Sequence, residues 1–280
     1  MWKTPSAYSI IGPVAAPRRD RVQSLDRALD LLEALGEAGD LGVSELAART
    51  GLVVSTAHRL LAGLADRGYV RQVAAHGRYT LGFRVLELAS GVQARTAALR
   101  AVARPHLEDI RQASSETTNL VILDRDRVVY VDQVPGLHNV RMFTQVGSSV
   151  LAHTTAAGKA ILARLSAEEI SKLYPREREP LERLTPRTQT TVASLLADFT
   201  RIRRRGYAVD NEEHEDGVSC VGAAVSGGGV AVAAISISAP TTRIVHADTG
   251  ELGRLLSQHA AQLSAELSDG AVTERPAADQ

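Results

Sequence analysis

The chain has 280 residues, 44% hydrophobic and 23% charged, a globular composition with room for two domains. Its 32 basic and 32 acidic side chains cancel, so a nucleic-acid-binding surface would have to arise from local clustering of charge. The single cysteine, Cys220, excludes an intramolecular disulfide framework, and the longest apolar run, Gly229 to Ala239, is too short to span a bilayer.

Residues 1–18 carry Pro5, Gly12, Pro13 and Pro17 without an amphipathic period and read as a mobile tail, as do residues 271–280. The N-terminus has no basic stretch followed by an apolar core, so a reducing, cytoplasmic setting is expected, with no membrane partner. The first helix is expected over Val22–Leu35, with Val22, Leu25, Leu29, Leu32 and Leu35 on one face and Gly36 and Gly39 ending it. A second helix starts at Ser44 as N-cap and stops at Gly51. The third runs from Ser55 to Arg67, with Leu60, Leu61 and Leu64 inward and Thr56, Arg59 and Gly63 outward. Tyr69–Val73 and Arg78–Leu81 then read as two strands around the turn Ala75-His76-Gly77. Three short helices and a hairpin are the layout of a winged helix-turn-helix domain, here over residues 19–82.

A helix that reads DNA needs an apolar inner face and, outside, short polar side chains with cations that reach phosphates or base edges. Ser55, Thr56, His58 and Arg59 meet that need, and Ser44 opens the preceding helix. From Arg49 to Arg84 there are six arginines (49, 59, 67, 71, 78 and 84) against one acid, Asp66. Arg71, His76 and Arg78 lie on the hairpin, where a wing can touch the backbone or minor groove. The alternative is a winged helix that serves as a protein-interaction module.

Residues 83–99 read as a linker helix carrying Val85, Leu86, Leu88 and Ala89. From residue 100 to 270 helices and strands mix. Helix Ala101–Ser114 precedes strands Asn119–Leu123, Arg127–Val134 and Val140–Thr144. Helix Ala156–Leu165 is followed by Ser166-Ala167-Glu168-Glu169, which has capping-box form, and by helix Ser194–Arg205 ending at Gly206. Strands Tyr207–Asn211, Val218–Val225 and Val230–Ser238 follow, the last two joined by Gly227-Gly228-Gly229, and a final helix covers Ala247–Leu267. The fold class is α+β.

Two stretches of this second domain suggest a small-molecule site. Thr155, Ala156 and Ala157 open a helix with small residues, which leaves amides exposed to an anion, or serves close packing. Ser236 and Ser238 share one strand face, with Ile235 and Ile237 on the other. An enzyme would need Cys220 as nucleophile with His214 or His153 as base, and no motif fixes that geometry. A metal site from His153, His214 and Cys220 lacks a close-spaced ligand pair. No catalytic residue, metal or cofactor is therefore expected.

The motifs Ser44-Glu45-Leu46-Ala47, Gly51-Leu52, Ser55-Thr56, Arg59-Leu60-Leu61, Leu64, Gly68-Tyr69-Val70, Arg78-Tyr79 and Leu81-Gly82 run through the first domain. Downstream stand His153 to Ala160, then Gly206 to Glu213 with Cys220-Val221-Gly222, and Ala233 to Pro240. In this order they resemble the IclR family of transcription regulators over about residues 20–268. The family often has a proline and an aromatic-acidic pair where this chain has Ala224 and Ser226-Gly227. The resemblance implies a GAF-like effector-binding domain in which Asp210 and Cys220 face the effector; on residues alone, Asp210 could be a turn or ion-pair residue and Cys220 a buried apolar one. It implies a linker helix that helps dimerise, a homodimer or a tetramer of paired dimers, and a double-stranded DNA operator. The regulator would be of repressor type, and its effector an organic acid or related catabolic intermediate.

Overall fold

The computed structural model describes residues 22–273 apart from 74, 76, 228, 229 and 247. The expectations for the tail 1–18, His76, Gly228, Gly229, Ala247 and residues 274–280 lie outside the described residues. The chain divides near Ala97 into two compact units.

In the first unit, α1 (Gln23–Ala38), α2 (Val43–Thr50) and α3 (Val54–Asp66) precede a hairpin of β1 (Val70–Gln72) and β2 (Tyr79–Leu81). Val70 lies opposite Leu81 and Gln72 opposite Tyr79, while Leu41 adds one bridge to Tyr79. This is the expected winged helix. Its core is Leu31, Leu35, Leu46, Ala47, Ala57, Leu61, Val70 and Tyr79, and each leucine so buried contributes about 1.5–3 kcal/mol. Gly51 takes the left-handed conformation that ends α2 (φ 66°), as its position implied.

Two local expectations need correction. Ser44 is not the N-cap of α2: that residue is Gly42, whose amide donates to the Glu45 carboxylate at 2.7 Å. On α1 the helix runs through Gly36, and the buried residues are Leu31, Ala34 and Leu35. Val22, Leu25 and Leu29 are instead 63%, 54% and 45% exposed. This helix is apolar on two sides, so spacing alone did not tell core from outer stripe.

The long helix α4 (Arg84–Ser114) runs unbroken from the first unit into the second. The expected break near residue 100 is absent because Leu99, Ala103, Leu107 and Ile110 keep one buried stripe going past Pro105. The strands of the second unit are β3 (Thr117–Asp124), β4 (Arg127–Val134), β5 (Ser149–Leu151), β6 (Ala208–Asn211), β7 (Val218–Gly227) and β8 (Val230–Pro240). They form an antiparallel sheet in the order β5-β4-β3-β8-β7-β6. Its helices are α5 (Ala156–Leu162), α6 (Ala167–Leu173), α7 (Val192–Arg205), α8 (Thr241–His246) and α9 (Thr249–Thr273). The final helix expected over Ala247–Leu267 is α9, which extends into the stretch expected to be a tail, and α8 before it was not foreseen. Ser166 caps α6 as foreseen: its hydroxyl accepts from the Glu169 amide (3.2 Å) and the Glu169 carboxylate accepts from the Ser166 amide (2.8 Å).

Residues 140–144 are not a strand. The β4 edge at Arg127–Val129 pairs with Ser149–Leu151 instead, and the Met142 carbonyl accepts from the Thr117 hydroxyl at 2.7 Å. Val140 and Phe143 are left 73% and 79% exposed.

Strand alternation gives the sheet two different faces. Leu120, Ile122, Val221, Ala223, Ile235 and Ile237 pack against α4 and α9, while Val121, Leu123 and Ala234 face α5, α6 and α7. The second face admits α5 because two glycines lack a side chain. A Cβ on Gly222 would lie 2.8 Å from the Ala157 nitrogen, and one on Gly158 would lie 2.2 Å from the Ala152 carbonyl oxygen. Gly158→Ala is therefore expected to lower stability by about 1–3 kcal/mol in urea unfolding, because the added methyl meets rigid backbone. Gly63→Ala, in α3 with nothing within 4 Å of the added atom, should stabilise by up to about 1 kcal/mol. Equal midpoints for the two variants would contradict this packing.

Candidate functional site

The candidate DNA surface lies on the first unit. Ser55, His58 and Arg59 are exposed on α3, and Thr56 is half-buried beside them. Val53 precedes α3 without a side-chain acceptor, so the amides of Val54 and Ser55 remain open to an outside acceptor such as a phosphate, while that of Thr56 donates to the Val53 carbonyl. Ser44 is exposed in the first turn of α2. Arg71 is exposed on β1, and its guanidinium sits 5.6 Å from the centroid of the Phe83 ring. Arg78 is engaged within the unit. It donates to the Asp40 carbonyl at 2.8 Å and pairs with the Glu45 carboxylate at 2.9 Å, tying the hairpin to α2.

In the second unit, sheet register brings distant residues into rows. Asp210 lies opposite Cys220, Cys220 opposite Ser238, and Ser238 opposite Thr117, across β6, β7, β8 and β3. The next row on the same face is Ala208, Gly222, Ser236, Asn119 and Gln133. Asp210, Ser236, Ser238, Thr117 and Asn119 are all buried. The start of α5 lies over Gly222, which places Ala156 and Ala157 beside these polar rows. The Thr155 hydroxyl is used as the α5 N-cap, accepting from the Gly158 amide at 3.0 Å. The six effector-side positions other than Thr155 thus converge on one patch, and Thr155 holds the helix start that faces it.

Beside the patch sits a charge cluster that sequence reading missed. The Lys159 ammonium, on α5, is 0% exposed. It donates to Asp198 on α7 (3.1 Å), to the Val209 carbonyl on β6 (2.7 Å) and to Glu213 (2.5 Å). Gln189 donates to both carboxylates, at 3.2 and 3.3 Å. Burial alone would raise the Asp198 carboxyl, but Lys159, Gln189 and Arg201 hold it below its ordinary value. The Glu213 amide donates to Asp210 at 2.7 Å, which joins the cluster to the row. Burial pushes the Asp210 carboxyl up to about 7; the Glu213 amide opposes the shift and the Glu213 charge adds to it.

Burial, helped by the Asp210 charge, pushes the Cys220 thiol far above its ordinary range, and its proton is directed to Ser238 (3.2 Å). A thiol so held is a poor nucleophile. His214 meets the Thr154 hydroxyl at 3.0 Å and His153 the Glu182 carbonyl at 3.1 Å, and burial lowers the pKa of both rings. Neither histidine is hydrogen-bonded to Cys220. Among the described residues, no group of three or more His, Cys, Asp or Glu is placed to hold a metal ion. Sequence reading also missed Asn119, Gln133 and Thr117. The available signal was polar residues at alternate positions in otherwise apolar strands.

The family model described as "IclR helix-turn-helix domain" matches residues 24–74, and "Bacterial transcriptional regulator IclR C-terminal" matches residues 93–265. The chain is 36% identical to the transcriptional repressor IclR of Escherichia coli strain K12, covering 89% of this chain and 91% of that one. It is 31% identical to the regulator KdgR of the same organism, covering 89% and 94%. Among solved structures, the Thermotoga maritima IclR superposes with a TM-score of 0.67 at 32% identity, covering 88% of this chain and 99% of that one. An IclR homolog of Microbacterium hydrocarbonoxydans complexed with 4-hydroxybenzoate gives 0.70 at 25%, covering 87% and 98%.

Two measurements probe the site. Lys159→Met leaves Asp198 and Glu213 buried without their cation and should cost about 3–5 kcal/mol in denaturant unfolding; a loss under about 1 kcal/mol would show that the cluster does not hold α5 in place. The Asp210 carboxyl keeps its proton in the folded state at pH values where the unfolded chain has lost it. Its contribution to stability is therefore full below about pH 4, falls as pH rises, and is gone above about pH 7. Asp210→Asn should remove this slope and raise the unfolding free energy at pH 8, by an amount on the order of a few kcal/mol. A pH profile unchanged by the substitution would refute the assignment.

Proposed function

Because this chain belongs to the IclR family of bacterial transcriptional regulators, we propose that it represses transcription from a double-stranded operator, with a small organic acid setting its affinity. The carrying observation is the convergence of Asp210, Cys220, Ser236, Ser238 and the start of α5 on one buried polar patch, in a chain that also bears an exposed, uncapped recognition helix. A homolog crystallised with 4-hydroxybenzoate, itself a carboxylate, supports an acid as effector. The amides of Ala156 and Ala157, at the positive end of a short helix, favour such a group, and the serine hydroxyls can bond its oxygens.

On the operator, Ser55, Thr56, His58 and Arg59 enter the major groove. Ser44 and the α3 amides meet phosphates, and Arg71 extends the contact along the wing. Arg78 acts mainly by holding the hairpin on α2. Two apolar stripes of the first unit are uncovered among the described residues: Val22, Leu25 and Leu29 at the start of α1, and Leu88 and Val92 on α4, all 45% exposed or more. Burial of these stripes between copies supports a homodimer, which a second pairing can extend to a tetramer. No helix among the described residues is long and apolar enough to cross a membrane, which accords with action on cytoplasmic DNA. Effector binding biases the operator-competent arrangement through α4, with a coupling of about 1–3 kcal/mol.

Band-shift titration on DNA upstream of the protein's own gene tests this. Arg59→Ala should weaken binding and reduce the slope of log affinity against log salt by about 1. Leu25→Asp with Leu29→Asp should shift sedimentation toward the monomer and weaken binding further. Wild-type affinity in both variants would refute the proposed surface.

A further inference from the structure

The hydroxyl of Ser238 is approached by two donors. The Asn119 side-chain amide donates to its oxygen at 3.1 Å, and the Cys220 thiol at 3.2 Å. A hydroxyl oxygen has two acceptor positions and one proton to give. With both acceptor positions filled, only the proton remains, and among the described residues no hydrogen bond uses it. Asn119 is itself held: it is 0% exposed, and the Gln133 amide donates to its carbonyl oxygen at 3.2 Å. Gln133 is held in turn. Its backbone amide donates to the Asp132 carboxylate (2.8 Å), and its backbone carbonyl accepts from Arg104 (3.2 Å), which also pairs with Asp132 at 3.1 Å. The neighbouring Ser236 hydroxyl, opposite Asn119, has no protein partner among the described residues and is free to follow the ligand.

We infer that Asn119 and Gln133 are positioning residues of the effector site, which make Ser238 a hydrogen-bond donor and so select a molecule that presents a carboxylate or carbonyl oxygen to it. This rests on the effector reading given above. A ligand hydroxyl at the same point would have to accept from Ser238 while finding another acceptor for its own proton, whereas a carboxylate or carboxamide oxygen needs none. A site built to bond one polar group discriminates strongly against analogues that leave its groups unpaired.

The test uses the full chain and three matched probe sets: short-chain and aromatic carboxylates, their primary amides, and the corresponding alcohols, screened by thermal shift and titrated by calorimetry. Wild type should bind members of the carboxylate and amide sets at least about tenfold more tightly than the alcohols. Asn119→Asp is the same size but can only accept when ionised, so it draws the Ser238 proton to itself. It should lose both carboxylate and neutral amide by at least about tenfold; loss of the amide separates polarity from simple charge repulsion. Gln133→Met, which frees the Asn119 amide without adding charge, should lower the preference for carboxylate over alcohol and serves if Asn119→Asp does not fold. Overturning results are alcohols bound as tightly as acids, no carboxylate or amide bound by wild type, or wild-type amide affinity in a folded Asn119→Asp. In any of these cases, loss of binding in Ser236→Ala by whichever probe does bind leaves the pocket standing. Wild-type binding in both Ser236→Ala and Asp210→Ala would remove the pocket itself.

Discussion

The second unit is organised around one ammonium group. Lys159 Nζ is out of reach of water, and its three donors go to Asp198, Glu213 and the Val209 carbonyl. A buried charge of this kind is tolerated only when its hydrogen bonds are complete and its partners are ionised. Those conditions tie α5 to α7, to the edge strand β6 and to the turn that follows it. Glu213, fixed by Lys159, places its backbone amide against Asp210, so the position of the acid in the polar row follows from the position of the lysine. The cluster and the candidate pocket are one piece of structure.

Close approach completes the arrangement. Gly222 and Gly158 allow α5 to lie directly on β7 and on the Ala152 backbone, so the helix start reaches the patch formed by Cys220, Ser236 and Ser238. The small residues Ala156, Ala157 and Gly158 therefore serve packing, and by serving packing they place helix amides beside a polar row. The two readings that the sequence left open for this stretch are compatible.

Legibility differed between the units. In the winged helix, capping glycines, leucine spacing and a hairpin turn are local signals, and each element is found within a few residues of its expected place. Even there the outer stripe of α1 was read as core, because Val22, Leu25 and Leu29 have the same helical spacing as a buried face. In the sheet unit most strands were legible; β5 was missed, and residues 140–144, read as a strand, are not one, the β4 edge pairing with Ser149–Leu151 instead. The long helix α4 was read as two because the change of pattern after residues 83–99 argued for a domain boundary, while its buried stripe ran on.

The sequence by itself determined the two kinds of unit, the family, and most of the polar residues of the patch, since these rest on periodicity, turn chemistry and motifs a few residues long. It also placed Ser236 and Ser238 on one face and Ile235 and Ile237 on the other, because strand alternation is a local rule. Only the tertiary structure decided which strands are neighbours, and hence that Asn119 and Gln133 stand behind Ser238, that Arg78 is held by Asp40 and Glu45, and that Lys159 is buried among acids. Those relations join residues dozens of positions apart, through register and packing, and no local pattern encodes them.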